Sequence, residues 1–234
     1  MASTEQPKPA STHTKSRNAA VSTPMDDGDF ERATRGFIAS YPGGRINDPS
    51  GRMVADTNRY DFIRQSPEAP DTVNPSLWRH ARLNANHGLF EVADGVWQVR
   101  GYDISNITFI KGTDGWVVID PLTTEATARA SYELITSHLG HRPVTGVIYT
   151  HSHADHFGGV LGVTSQEDVD AGRCRVIAPV GFLHETVGEN VIAGPAMSRR
   201  ASYQFGPLLP ASPTGHVDCG LGNSVPLGPP GLIA

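Results

Sequence analysis

The middle of the chain contains short stretches in which apolar and polar residues alternate, a pattern typical of β-strands. In residues 89–100 and 105–111, Val, Trp, Ile and Phe alternate with polar residues on the two sides of a turn near Gly101. We expect these two stretches to pair as antiparallel strands. Residues 116–119, Trp-Val-Val-Ile, form instead a continuous apolar run that ends at Asp120. Such a run is expected of a central strand that is covered on both faces of a sheet.

A helical pattern follows at residues 124–139, where Ala and Leu recur at roughly helical spacing between a capping Thr and a terminating Gly. Residues 144–149 then return to a strand pattern. The order of strand, helix and strand predicts an α/β fold, in which helices pack against a sheet. Beyond residue 150 we expect a short helix at 156–162, a strand at 175–178 and a helix at 188–203.

The first 35 residues lack the pattern of a folded segment. Between Met1 and Asp29 there is no Leu, Ile, Phe, Tyr or Trp, so little apolar surface is available to offset the entropy lost on ordering. We therefore expect a disordered tail at residues 1–35 and a single domain at residues 36–234. The same composition provides neither the apolar core of a signal peptide nor a membrane span.

Composition and charge narrow the functional classes. The chain has 234 residues, of which 38% are hydrophobic, enough for one core. Its formal net charge of −5 favours neither nucleic acid nor an anionic membrane surface as a partner. The two cysteines are too few for a disulfide framework, so we expect free thiols and a cytoplasmic location.

The strongest chemical signal is a cluster of three histidines and one aspartate directly after the strand at 144–149. The spacing is His-x-His-x-Asp-His, and the residues are His151, His153, Asp155 and His156. Imidazole and carboxylate groups suit Zn²⁺, and alternate residues of an extended segment point to the same side. We therefore expect the first two histidines to bind one ion and the last two residues to bind a second. Two such ions would activate a water for hydrolysis.

A polar loop that binds metal adventitiously is the alternative interpretation of this cluster. It is disfavoured because the residue types, their spacing, the preceding strand and the following Gly158-Gly159 all agree.

The motif resembles the signature of the metallo-β-lactamase superfamily, and further stretches resemble its alkyl sulfatase branch. These stretches are Ala-Pro-Asp-Thr-Val-Asn-Pro-Ser-Leu-Trp at 69–78, His-Gly-Leu-Phe-Glu-Val at 87–92, Gln-Val-Arg-Gly at 98–101, and parts of 190–210 and 220–234. The resemblance implies a metallo-β-lactamase-like αβ/βα sandwich, of which this chain supplies mainly the first half. It also implies a sulfuric ester hydrolase that uses metal-activated water to convert linear alkyl sulfate esters, such as dodecyl sulfate, into an alcohol and inorganic sulfate.

By the same resemblance, two zinc ions are the cofactor. His151 and His153 hold one ion, and Asp155 and His156 hold the other, with Asp155 as the residue of expected catalytic importance. For Asp120, contact with the metal ligands and a turn-forming role are equally open.

In alkyl sulfatases, acidic residues and a further histidine complete the metal shells at positions beyond the last residue of this chain. The family also continues into a helical dimerisation region. The resemblance therefore implies an amino-terminal portion of such an enzyme, with a homodimer as the assembly.

Other polar residues after the motif are weaker candidates. As local substitutes for the remaining ligands they are His184, Glu185, Glu189, His216, Asp218 and Cys219, and for each of them an ordinary structural role is the preferred explanation. Arg199 and Arg200 could bind a tetrahedral oxyanion through forked hydrogen bonds, although a solvated helix face explains them better.

Two other functions stay open at this stage. One is hydrolysis of a lactam, lactone or thioester by the same metal chemistry, because the motif alone does not define the substrate. The other is an inactive fragment that binds metal weakly or associates with a longer homologue.

Overall fold

The computed structural model describes residues 8–21, 28–223 and 230–233. Within these ranges the β-strands are β1 (Phe37–Ala39), β2 (Arg45–Asn47), β3 (Met53–Asp56), β4 (Gly88–Ala93), β5 (Val96–Arg100), β6 (Ile107–Lys111), β7 (Trp116–Ile119), β8 (Val144–Ile148) and β9 (Arg175–Ile177). The α-helices are α1 (Thr12–Ala19), α2 (Gly28–Thr34), α3 (Asp61–Gln65), α4 (Pro75–Asn84), α5 (Glu125–Leu139), α6 (Gln166–Asp170), α7 (Phe182–Val187) and α8 (Gly194–Phe205). Short 3₁₀-helices lie at Thr57–Tyr60, Ala154–His156 and Val160–Gly162, and a π-helix lies at Gly188–Ile192.

One mixed sheet organises the chain. Its strand order is β1-β4-β5-β6-β7-β8-β9, while β2 and β3 form a separate antiparallel pair. Neighbouring strands from β1 to β7 are antiparallel, whereas β7, β8 and β9 are parallel. Helix α5 forms the crossover connection that the parallel strands β7 and β8 require. The α/β class predicted from the sequence is confirmed.

The strand predictions need two corrections. Residues 89–100 form the β4–β5 hairpin rather than one strand, because the chain turns at Asp94 and Gly95, where Gly95 has a φ of 76°. Strand β5 does pair with β6 in the antiparallel sense that was predicted. Strand β7 lies inside the sheet, but only one of its faces is fully buried, since Val117 and Ile119 are half-buried.

The helix predictions are accurate for α5 and less so beyond the motif. Helix α5 begins after Thr124, whose Oγ1 accepts a hydrogen bond from Thr127 N, and it ends at Gly140 with a φ of 82°. The segment 156–162 forms 3₁₀ turns instead of a helix. The helix predicted at 188–203 divides into the π-helix and α8, because Pro195 in the first turn of α8 cannot donate to a preceding turn.

The main core lies between the sheet and α5. It joins aromatic and aliphatic residues of the central strands to the apolar face of the helix, among them Ile107, Phe109, Trp116, Val118, Leu134, Ile135 and Val147. No helix in the described ranges is long and apolar enough to cross a membrane.

Two short helices, α1 and α2, lie in the described parts of the segment for which a disordered tail was predicted. Helix α1 is tied to the loop before α4, because Asn18 Nδ2 donates to Asp71 O over 2.9 Å and Lys15 pairs with the Asp71 carboxylate at 2.8 Å. In α2, Phe30 lies beneath the guanidinium groups of Arg79 and Arg82. Phe30 is the aromatic residue that directly follows the apolar-poor stretch. Residues 1–7 and 22–27 lie outside the described ranges, and the boundary at residue 35 stays a prediction.

Asp103 anchors the start of α5 from within the core. Its carboxylate accepts hydrogen bonds from Thr123 N and Thr123 Oγ1, both at 2.8 Å, from Ile104 N at 2.7 Å and from Thr127 Oγ1 at 3.3 Å. Burial raises the pKa of Asp103 to about 7, although the hydrogen bonds from Thr123 and Ile104 act to lower it.

This pKa predicts a pH dependence of stability. Between about pH 4 and pH 7 the folded protein keeps a proton on Asp103 that the unfolded chain has lost, so the contribution of Asp103 to the free energy of unfolding should decrease as the pH rises. Asp103→Asn should lower stability by about 1–3 kcal/mol through mismatched donors. Urea denaturation should show that Asp103→Asn lowers the free energy of unfolding, relative to wild type, by more at pH 4.5 than at pH 7.5.

The matched control is Asp114→Asn in an exposed turn, which should leave the free energy of unfolding within about 0.5 kcal/mol of wild type. A deficit for Asp103→Asn that grows with pH would show instead that the folded protein stabilises the ionised carboxylate.

Candidate metal centre

The His-x-His-x-Asp-His motif lies at the carboxyl end of the parallel strands. Strands β7 and β8 are neighbours with Ile119 opposite Ile148, so the residues that follow them meet at one edge of the sheet. Asp120 follows β7, and the motif begins at His151, three residues after the end of β8. This edge is where open α/β sheets place their chemistry.

The backbone at Asp120 adopts a conformation that few residue types accept. Asp120 has a φ of 54° and Leu122 a φ of 63°, both in the left-handed region. For residues other than glycine this region costs about 1–3 kcal/mol, although aspartate tolerates it better than most. The turn directs the Asp120 side chain away from its own strand and toward the segment after β8.

The Asp120 carboxylate holds the beginning and the end of the motif together. Oδ1 accepts a hydrogen bond from Thr150 N at 2.8 Å, and Oδ2 accepts one from Thr150 Oγ1 at 2.7 Å. Oδ2 also lies 2.8 Å from His156 Nδ1. The sequence left two roles open for Asp120, a turn-forming role and contact with the metal ligands. Asp120 has both, because it lies in the turn after β7 and its carboxylate contacts the predicted ligand His156.

Gly158 and Gly159 allow the motif loop to lie directly on the turn after β7. A Cβ at Gly158 would lie 2.3 Å from Thr123 O, and one at Gly159 would lie 2.1 Å from Pro121 O. Such distances are far shorter than van der Waals contact, so no side chain fits at either position. The glycine pair noted in the sequence is thus required by close backbone packing.

The structure brings the three motif imidazoles together. The ring of His151 is centred 4.6 Å from that of His153 and 4.0 Å from that of His156. Each ring has one nitrogen held by a neighbouring group: His151 Nδ1 by Thr150 Oγ1 at 3.0 Å, His153 Nε2 by Glu189 Oε1 at 3.2 Å, and His156 Nδ1 by Asp120. These contacts fix the orientation of each ring, as the hydrogen-bonding partners of metal-binding histidines usually do.

Asp155 and His156 form an ion pair within the motif. Asp155 Oδ2 lies 3.1 Å from His156 Nε2, so His156 bridges Asp155 and Asp120. Burial lowers the pKa of His156, but its hydrogen bonds to the two carboxylates outweigh burial and raise it to about 9. Burial raises the pKa of Asp155, and the hydrogen bond from His156 reverses that effect, so its pKa lies below the ordinary value. Both carboxylates are therefore ionised at neutral pH.

Imidazole and carboxylate groups suit a zinc ion, but the described residues provide fewer ligands than the four that zinc usually has. In residues 8–21, 28–223 and 230–233, no three His, Cys, Asp or Glu side chains form a group that could hold a metal ion. The four predicted ligands are adjacent, but Asp155 and His156 direct donor atoms at each other. Zinc would replace the proton shared by this pair, because metal ligands bind in their deprotonated form.

Among the six candidate substitutes, Glu189 contacts the motif, through the bond to His153. His184 and Glu185 face each other on an exposed helix surface. The other three lie in a separate cluster near α3 and α4, where His216 Nδ1 bonds to the Tyr60 hydroxyl at 2.8 Å.

Further contacts to the motif loop were not predicted from the sequence. Ser105 Oγ donates to the carbonyl of Asp155, and Asn190 Nδ2 lies 3.5 Å from Ser152 O. Asn190 and Glu189 belong to the π-helix Gly188–Ile192, a helix type that is frequent at functional sites. Nothing in the local sequence distinguishes these residues from other surface polar residues.

Comparison with known proteins places this geometry in context. Residues 100–231 match the family described as the metallo-beta-lactamase superfamily. A linear primary-alkylsulfatase of Pseudomonas sp. is 48% identical over 232 residues, which cover 98% of this chain and 34% of that protein. An alkyl/aryl-sulfatase of Saccharomyces cerevisiae is 51% identical over 210 residues, covering 89% of this chain and 32% of that protein.

A solved structure agrees with these sequence relatives. The stereoselective inverting sec-alkylsulfatase Pisa1 from Pseudomonas sp. superimposes with a TM-score of 0.89 at 44% identity, over 96% of this chain and 36% of that one. The chain thus spans about a third of the length of the curated relatives it matches.

Replacing Asp120 with asparagine tests its control of the motif. Asparagine also tolerates the left-handed backbone, so Asp120→Asn removes the charge without adding backbone strain. We expect zinc affinity, measured by competition with a chromophoric chelator, to fall by roughly 10–100-fold, the effect typical of outer partners of metal-binding histidines. Asp94→Asn in the β4–β5 turn is the control. Equal zinc affinity of both variants would contradict the role of Asp120.

The contact between Glu189 and His153 gives a second test. Glu189→Gln keeps the length of the side chain but removes its charge, and we expect zinc affinity to fall by roughly tenfold. The matched control is Glu185→Gln, since Glu185 lies one helical turn away and contacts His184 instead of the motif. A fall of the same size in both variants would show a general charge effect.

Proposed function

Because the chain belongs to the metallo-β-lactamase superfamily, we propose that it hydrolyses linear alkyl sulfate esters, such as dodecyl sulfate, to an alcohol and inorganic sulfate. The resemblance to alkyl sulfatases and the α/β fold of this superfamily, both predicted from the sequence, are confirmed. The names of the relatives, which are alkylsulfatases, support this reaction. Because these relatives are about three times as long as this chain, the activity of the chain itself is a proposal.

The observation that carries the proposal is the position of the motif at the wall of a cleft. His153, Ala154 and Asp155 line it together with residues of the π-helix and α8, and its volume is about 430 Å³. This volume lies in the range of about 300–1,000 Å³ that is typical of small-molecule sites. A substrate bound there would lie against two of the four predicted metal ligands, His153 and Asp155.

We propose two zinc ions as the cofactor. His151 and His153 would hold one ion, and Asp155 and His156 the other. Bound zinc would lower the pKa of a coordinated water to about 7 and so supply a nucleophile at neutral pH.

The residues of this chain prepare that chemistry. Asp120 and Thr150 orient the imidazoles of His156 and His151, and Glu189 orients that of His153. Asp155 stays ionised beside His156, so its carboxylate can bind a cation. The three imidazole rings are thus oriented in advance, which reduces the reorganisation that zinc binding requires, whereas the contact between Asp155 and His156 has to be broken. The homodimer and the cytoplasmic location stay predictions from the sequence.

Sulfate release is the direct test of the proposal. The zinc-loaded chain should release sulfate from dodecyl sulfate supplied below its micellar concentration, and it should not hydrolyse the lactam nitrocefin. Asp155→Ala should lower both zinc content and sulfate release, the latter by more than the roughly 10–100-fold typical of outer-partner changes. Ion chromatography of sulfate and elemental analysis of zinc provide the measurements.

Asp114→Ala in an exposed turn is the control and should behave as wild type. Faster hydrolysis of nitrocefin, a lactone or a thioester would favour another reaction of the superfamily. Bound zinc without turnover of any of these substrates would overturn the proposal and favour a binding role for the chain.

A further inference from the structure

The cleft beside the motif combines an apolar lining with a few charged groups. The apolar residues come from the loop after β5, from α8 and from the segment near residue 221, and they are Ile104, Met197, Phe205 and Leu221. The charged residues are Asp155, Glu189 and Arg200, together with the imidazole of His153. This combination suits an amphiphile with an alkyl chain and a polar head.

One face of α8 lines the cleft beside the motif. Met197, Arg200, Ala201 and Gln204 line the cleft and are spaced at i, i+3, i+4 and i+7, as residues on one face of a helix are. Arg199 does not line this cleft. It borders a second, more open depression on α8 together with Tyr203, and Arg200 and Gln204 line both the cleft and this depression.

The charges in the cleft are not equally engaged. The Asp155 carboxylate is paired with His156, and the Glu189 carboxylate with His153. Arg200 makes no hydrogen bond, ion pair or ring contact within the part of the chain that the structure describes. The cleft therefore holds one cation whose donors are free, beside two carboxylates that already have partners.

We propose that Arg200 binds the sulfate head of the substrate, while the apolar residues of the cleft contact its alkyl chain. This inference rests on the proposed function, which it extends to a specificity-determining residue. A guanidinium group suits the role because its planar donors can bond to two oxygens of a tetrahedral anion at once. An ester bound in the cleft would contact Arg200 through its sulfate head and Met197 or Phe205 through its chain, beside His153 and Asp155 of the motif.

The structure thus separates two adjacent arginines that the sequence could not distinguish. Both arginines are exposed, and both border the open depression on α8, but Arg200 also lines the cleft beside the motif, which Arg199 does not. The pair provides a matched comparison, because the same substitution at either position removes the same charge from the same helix.

The test is equilibrium binding of octane-1-sulfonate, which carries a sulfonate head on a carbon–sulfur bond that ester hydrolysis cannot cleave. Calorimetric titration of the zinc-loaded chain should give a Kd that rises about tenfold or more in Arg200→Met, as expected for loss of a charge-assisted hydrogen bond. Arg199→Met should change the Kd less than twofold, and Arg200→Lys should restore part of the affinity. Octan-1-ol, which lacks the anionic head, should bind Arg200→Met and wild type equally.

Several outcomes would overturn the proposal: equal losses in the two methionine variants, an equal loss for octan-1-ol, or wild-type protein that does not prefer the sulfonate to the alcohol. Circular dichroism of each variant controls for folding.

Sulfate release from octyl sulfate, measured in parallel, distinguishes this inference from the proposed function. Sulfonate binding that depends on Arg200 without any sulfate release would support the anion site and reject the hydrolase. Sulfate release with the same KM in wild type and Arg200→Met would support the hydrolase and reject the anion site.

Discussion

The carboxylate of Asp120 links the ends of two parallel strands, and the arrangement of the predicted metal ligands depends on this link. Asp120 follows β7, yet its three hydrogen-bonding partners belong to the segment after β8. The left-handed backbone at Asp120 and Leu122 makes this reach possible at a conformational cost that the buried sheet must offset. A short, charged side chain that tolerates this conformation is therefore needed at the position, and aspartate satisfies both conditions.

The electrostatics of the site follow from the same link. Crowded imidazoles destabilise each other's charged form, and burial and the neighbouring His156 and His153 lower the pKa of His151. His156 escapes this effect because Asp120 and Asp155 lie on either side of it. The motif thus contains one histidine with a raised pKa, His156, and one with a lowered pKa, His151, although both belong to the same short loop. Only the neighbouring carboxylates distinguish them.

The cleft beside the motif combines charged and apolar side chains. The motif wall carries acids and imidazoles that have partners, and the α8 wall carries Arg200 together with the apolar Met197 and Phe205. Glu189 links the two walls, because it belongs to the π-helix that precedes α8 and contacts His153.

The sequence by itself determined the local features whose physics is local. The spacing of the motif, the strand before it, the glycine pair after it and the capped helix α5 could all be predicted, because strand and helix periodicity, capping and close packing leave their marks within a few residues. Tertiary structure alone decided which distant residues meet the motif. The turn into the π-helix brings Glu189 to His153, and α8 brings Arg200 to the cleft beside the motif, and a polar residue brought to a site by such long-range packing looks in the sequence like any residue on a solvated surface.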